Sequence, residues 1–173
     1  MIEIRAFTAS DAAQVRDLFV RVNRLLSPPH LKAAFESYIA QSLQAEIDRI
    51  EDYYGERGGG FWVAVGDSLA AGQIVAMFGL EPSSAEAMEL RRMYVAPDAR
   101  RRGIARTMLR FAEDECRRRG RSAMDLSTSE LQGAALSFYR DAGYRLVRED
   151  VAIAASNKTL GGGVKRYHFT KRL

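Results

Sequence analysis

The sequence predicts one α/β domain built on a mixed sheet, and three observations carry that expectation. Short stretches of strand character alternate along the chain with stretches whose apolar residues recur at helical spacing. The sharpest of these junctions, residues 93–109 (MYVAPDARRRGIARTML), runs from an apolar strand end through Pro97 and Asp98, past three arginines, into a helical pattern. At 173 residues, with no repeat, low-complexity tract or linker, the chain suits a single domain over residues 1–173 with a full hydrophobic core.

The elements follow in order. Ile2, Ile4 and Ala6 alternate with polar partners ahead of Phe7, a short strand. Ser10 or Asp11 can cap a helix that carries Val15, Leu18, Phe19 and Val22 on one face. Ser27, Pro28 and Pro29 break that helix and can start the next helical region. There Phe35, Tyr38, Ile39, Leu43, Ile47 and Ile50 recur at helical spacing until Gly58–Gly60. FWVAV (61–65) is a nearly continuous apolar strand, followed by a turn at Gly66 and Asp67. QIVAMFGL (73–80) and MELRRMYV (88–95) are the next strands, separated by a turn at Pro82–Ser84. The helix after the arginines sets Ile104, Met108, Phe111 and Ala112 on one side and stops at Gly120. AMDLST (123–128) is strand-like, and the helix after it carries Ala134, Ala135, Phe138, Tyr139 and Ala142, with Gly143 as its C-cap. YRLVRE (144–149) and VKRYHFTKRL (164–173) suit two last strands, joined by SNKTLGGG.

Composition narrows the class. Apolar content is 47% and proline is scarce, so disorder is not suggested. The net charge of +4 and a pI near 9.4 favour an acidic partner only weakly, because much of the excess sits between Arg91 and Arg121. A nucleic-acid module would need stacking aromatics or a recognition helix beside those arginines, and neither is evident, so no nucleic-acid partner is expected. The one cysteine, Cys116, excludes an internal disulfide and a Cys-rich metal site, and it falls on the apolar side of a helix as a core residue. His30 and His168 have no ligand pattern around them, so no metal is expected. Trp62 reads as core, and Tyr53 and Tyr54 either line a pocket or sit in an exposed loop. The opening residues lack a signal-peptide pattern, and no apolar run approaches the roughly 20 residues that span a bilayer. A cytoplasmic protein with no membrane partner is the expectation.

The junction at residues 93–109 carries the chemistry. A strand end, a tight turn, small residues and a helix N-terminus make a nest of backbone N–H groups aimed at an anion. Arginine forks beside it suit phosphate oxygens. Its single glycine rules out the dinucleotide-binding GxGxxG pattern, and GxxxxGK[ST] is absent. Arg100-x-x-Gly103-x-Ala105 after a strand ending in Val-x-Pro resembles the Arg/Gln-x-x-Gly-x-Gly/Ala signature of GNAT-type N-acetyltransferases. ALSFYRDAGYRLVRE (135–149) is similar to that family's late helix-strand segment, and the order of elements is similar too. The resemblance is strong from Glu89 to Arg148 and loose from Ser27 to Arg57.

The resemblance implies a GNAT-like domain: a mostly antiparallel sheet of about seven strands flanked by about four helices. Its splayed parallel strands, around Glu89–Val95 and Met124–Ser127, would hold acetyl-CoA. Main-chain groups of Met93 and Val95, with Tyr94 between them, would pair with the pantetheine amides. The pyrophosphate would sit over the N–H groups of Arg101, Arg102, Gly103, Ile104, Ala105 and Arg106, with Gly103 and Ala105 small to let it approach. Arg100 matches the first signature position, and Arg101, Arg102 or Arg106 could meet phosphates. Gln132 stands where many relatives carry a cofactor-contacting asparagine.

The implied reaction moves an acetyl group from acetyl-CoA to a primary amine of a small molecule or peptide, with no metal. An alkylamine is mostly protonated at neutral pH, so a base is needed. Glu89 occupies the position of a glutamate base in some relatives, with Glu81, Glu130 or a relayed water as alternatives. Tyr139 matches the usual general acid, and the Met93 N–H is placed to steady the oxyanion. The acceptor walls would come from residues 26–57 and 156–163. Glu36, Glu46, Asp48, Glu51, Asp52 and Glu56 in the first of these could draw in a cationic amine. Many relatives pair as homodimers. A domain that binds acyl-CoA without turning it over is the alternative.

Overall fold

The protein is described by a computed structural model that covers residues 1–66 and 72–173; the expected turn partner Asp67 lies outside the described residues. The strands are β1 (Ile2–Ala6), β2 (Gly60–Gly66), β3 (Gln73–Pro82), β4 (Ala87–Val95), β5 (Ala123–Ser129), β6 (Arg145–Ala152) and β7 (Val164–Arg172). They form one sheet in the order β1-β2-β3-β4-β5-β7-β6. Every neighbouring pair is antiparallel except β4 and β5. The mixed, mostly antiparallel sheet expected from the sequence is the one observed.

The helices are α1 (Ala12–Leu26), α2 (Lys32–Ala45), α3 (Ile50–Glu56), α4 (Ile104–Arg118) and α5 (Gly133–Asp141). They cover both faces of the sheet, which is why β3 is buried almost throughout and reads as a continuous apolar run. Successive strand residues show the two layers. Phe61 packs against Tyr54 of α3 at 5.3 Å, while its neighbour Trp62 stacks on Phe78 at 5.2 Å and meets Phe111 of α4. Cys116 is fully buried, and burial pushes its thiol up to about 11, which leaves it a core residue.

Two local departures from the sequence expectation have clear causes. Helix α1 is entered through a 3-10 turn at Ala9–Asp11 that Thr8 caps; Asp11 holds the α1 N-cap position, but its side chain makes no cap bond to that helix, and Ser10 lies within the turn. Asp11 instead accepts the Thr8 N–H at 2.9 Å and forks onto Arg5 at 2.7 and 2.9 Å, and that guanidinium bond holds its carboxyl down to about 2. The long helical region from Phe35 to Ile50 is interrupted at Glu46, whose backbone leaves the helix at φ −140°. A 3-10 turn at Ile47–Arg49 and then α3 follow. Ile47 and Ile50 still reach the core, and the break turns the Glu46 side chain inward, where it is fully buried. A small separate cluster of Phe35, Leu160 and Val164 ties the β6–β7 loop down onto α2.

Candidate active site

A cleft in the sheet follows from one irregularity in β4. The parallel pairing of β4 with β5 runs only from Ala87 opposite Ala123 to Leu90 opposite Leu126. Just beyond, Arg92 adopts a left-handed backbone, φ 55°, and the β3–β4 register shifts between Met77 and Gly79. With Arg91 opposite Gly79 and Tyr94 opposite Met77, Arg92 and Met93 together face Phe78, which is a β-bulge. β4 then leaves β5, while β5 stays paired to β7 as far as Ser129. A wedge opens, and among the described residues the β4 edge from Arg91 to Val95 has no strand partner on that side.

Buried charge holds the bulge in place. A left-handed non-glycine residue costs about 1–2 kcal/mol, so something must fix Arg92 there. Its Nε lies 2.9 Å from Glu46 Oε2, its Nη1 donates to the Tyr38 hydroxyl at 2.6 Å, and its Nη2 donates to the Asn157 carbonyl. Arg91 Nη1 lies 2.7 Å from Glu46 Oε1 and donates to the Tyr53 hydroxyl at 2.6 Å. Tyr54 donates its own hydroxyl to Glu46 Oε2 at 2.9 Å. It can lie that close to the sheet because position 79 is glycine; a Cβ there would stand 2.4 Å from the Tyr54 hydroxyl oxygen. Burial alone would raise the Glu46 pKa, but the Arg92 and Arg91 charges outweigh it and hold the carboxyl below its usual range. Burial disfavours both charged arginines as well, yet their surroundings, with Glu46 the nearest anion, keep them firmly protonated.

This cluster alters two sequence expectations. Arg91 and Arg92 are buried and lie outside any basic surface. The early acids are largely paired within the protein: Glu46 as above, Glu36 with Arg24 at 3.0 Å, Asp48 with Arg16 at 3.7 Å, and Glu56 with Arg49 at 2.8 Å. Tyr53 and Tyr54 are buried in a helix, not displayed on a loop.

The arginine turn has the opposite character. Pro97–Ala99 form a 3-10 turn, Arg100 is extended, and Arg101 and Gly103 both take left-handed backbones, φ 63° and 73°. Gly103 is the N-cap residue of α4, and no side chain caps that helix. Its first backbone N–H groups therefore face outward with the positive end of the helix dipole. Arg100, Arg101, Arg102 and Arg106 are exposed around it, and Ile104 sinks its side chain into the core. Among the described residues no atom lies within 4 Å of a Cβ built on Gly103, so inside the protein this glycine eases a left-handed backbone angle and does not make space.

The remaining expected residues fall around the wedge. Met93, Tyr94, Glu89, Gln132 and Tyr139 line it. Tyr139, on α5, is 8% exposed and lies against Phe138, Tyr144 and Phe169. Burial first, and then nearby Tyr94, push its hydroxyl well above the usual phenol range. Gln132 stands at the α5 N-cap, where its side-chain carbonyl accepts the Thr128 hydroxyl at 2.5 Å. Glu89 is half-buried, with Lys158 Nζ at 3.5 Å. Glu81 is its cross-strand neighbour but lies outside the wedge, bonded to Lys158 at 2.5 Å and 3.7 Å from Arg91. Glu130 is exposed and accepts the Lys165 N–H at 3.0 Å. Asn157 and Lys158, inside the 156–163 stretch expected to wall the acceptor, also line the wedge, and so does Arg166, which sequence reasoning missed. A polar loop between two strands gives no sign of which distant carboxylate it will meet.

Residues 22–144 match the acetyltransferase (GNAT) family. The chain belongs to that family. N-acetyltransferase family 8 member 2 of Rattus norvegicus is 28% identical over 138 residues, 79% of this chain and 60% of that protein. The chain spans about half the length of several other curated relatives it matches. Among solved structures, a GNAT-family acetyltransferase from Staphylococcus aureus Mu50 superposes with a TM-score of 0.76 at 19% identity, covering 100% of this chain and 99% of that one. The PaiA N-acetyltransferase of Thermoplasma acidophilum, solved in complex with coenzyme A, gives 0.74 at 20% identity over 100% and 99%. The bulged β4, the wedge and the signature turn are thus set in a GNAT fold. Among the described residues no helix is long and apolar enough to cross a membrane, and no His, Cys, Asp or Glu cluster could hold a metal ion.

Proposed function

We propose that this GNAT chain transfers an acetyl group from acetyl-CoA to a primary amine. The wedge between β4 and β5 carries the reading. One wall is an unpaired strand edge that an amide-bearing arm can extend, and the arginine turn just past that edge presents an anion-seeking helix end. Main-chain groups of Met93 and Val95 would hold the pantetheine amides. N–H groups from Arg101 to Arg106, with their guanidiniums and Arg100, would hold the pyrophosphate. The donor supplies the acetyl thioester.

This chain's own residues do the rest. Glu89 takes the proton that the acceptor ammonium must lose, directly or through a water. The Met93 N–H meets the charge that builds on the carbonyl oxygen. Tyr139, kept protonated by its buried site, gives its proton to the departing sulfur. Gln132, fixed by Thr128, offers its amide N–H to the donor arm.

The test combines acetyl-CoA binding with release of free thiol across a broad amine panel. Tyr139→Phe should lower kcat about 100-fold or more while leaving acetyl-CoA affinity within twofold. An unchanged kcat removes Tyr139 from the chemistry. Acetyl-CoA binding without thiol release for any amine would favour a sensing domain instead.

A further inference from the structure

The charge lining the acceptor side of the wedge is unbalanced. Arg91, Arg92, Lys158 and Arg166 line it, against the single carboxylate of Glu89. Arg91 and Arg92 are answered from behind by Glu46, and Lys158 by Glu81 and Glu89. Arg166 is different. It lies half-buried on β7, its Nη2 donates to Ser127 Oγ at 2.7 Å, and its cross-strand neighbour Asp150 acts on it only at longer range, being paired with Arg148 and His168; among the described residues no carboxylate comes within 4 Å of it. Most of its fork of donors therefore has no carboxylate bonded to it, in a cleft where such a guanidinium is a strong attractor for a planar anion.

Its position relative to Glu89 is set by the sheet. Glu89 stands in register with Asp125, and Ser127, two residues further along β5, shares that face. A strand rise of about 3.3 Å and a strand spacing of about 4.8 Å place Ser127 about 8 Å from Glu89. The guanidinium is thus drawn to the mouth of the wedge, one step past Leu126, where the two strands part.

We infer that the acceptor carries a carboxylate as well as its amine, and that Arg166 binds that carboxylate while the amine lies at Glu89. The inference rests on the transferase reading and names its substrate class. A second cation on the acceptor would meet Arg91, Arg92, Lys158 and Arg166, with the one lining carboxylate already shared with Lys158. A carboxylate would complete the only lining cation that has no carboxylate within 4 Å among the described residues.

The experiment measures binding separately from turnover. Protein saturated with coenzyme A is titrated calorimetrically with β-alanine, 4-aminobutyrate and 6-aminohexanoate, with their amides, and with diamines of matching length. The expected result is a preference of tenfold or more for acid over amide, largest for the one chain length that spans Glu89 and Arg166. Arg166→Gln should collapse that ratio towards one, and Arg166→Lys should keep part of it, while coenzyme A still binds both variants. Amides or diamines binding as well as acids, no binding by any acid, or a ratio that survives Arg166→Gln would each overturn the inference. An acid preference without thiol release would instead overturn the transferase reading and leave this site standing.

Discussion

Two groups of arginines stand close together in the sequence and do opposite work. Arg91 and Arg92 lie under the wedge, buried and answered by Glu46, and they shape the backbone of β4. Arg100, Arg101, Arg102 and Arg106 surround the α4 N-terminus, exposed, with no protein side chain capping the helix. The first group is a structural device whose charge is satisfied within the protein. The second lies exposed around the helix end, where the proposed donor would meet it. Burial separates them, and residue type does not. The contrast predicts that variants of the first group will cost stability and variants of the second will cost donor affinity.

The largest effect is expected at Glu46. Glu46→Gln removes the anion and leaves two buried guanidiniums sharing a neutral amide. Breaking a buried ion pair by removing one partner costs about 3–5 kcal/mol. Chemical denaturation should show that loss as a lower midpoint. Because the cluster fixes the bulge, acetyl-CoA affinity should fall as well. A variant as stable as the parent would show that the cluster does not hold β4.

How much of this was legible in the sequence varies by element. The strands and helices were legible because the apolar period changes cleanly between them, and the anion nest because it lies within one short segment. The bulge was not. It depends on a left-handed arginine, and Arg92 differs in no visible way from Arg91. Its partner Glu46 sits in a helical pattern among other acids, so nothing marks it as the buried one. Asn157, which receives both guanidiniums on its carbonyl, comes from a loop after β6. Contacts between distant segments set these roles, and such contacts leave no local pattern. The same holds for Arg166, one basic residue among several on β7.

The middle effect belongs to the exposed arginines. Arg101→Ala with Arg106→Ala should weaken acetyl-CoA binding about tenfold, or about 1.4 kcal/mol. The melting temperature should hardly move, since both side chains are exposed and surface changes usually lie within about 0.5 kcal/mol. The affinity of the parent protein should also fall with added salt more steeply than that of the double variant. If the melting temperature drops as it does for Glu46→Gln, the two groups are not different in kind.

The smallest effect sharpens the contrast at a single atom. Gly103→Ala adds a methyl where no atom of the described residues lies within 4 Å, so nothing described in the fold is crowded. Its cost to stability comes only from the left-handed backbone, φ 73°, and should be about 1 kcal/mol. Arg101, at φ 63° in the same turn, already bears a similar cost without being glycine. Stability therefore does not require glycine at position 103. If a phosphate approaches the backbone there, the methyl stands in its path, and acetyl-CoA affinity should fall by more than the stability loss accounts for. Denaturant titration with an unchanged m-value, beside calorimetric acetyl-CoA binding, separates the two contributions. A stability loss of that size with unaltered affinity would place the phosphates away from Gly103, towards the exposed guanidiniums.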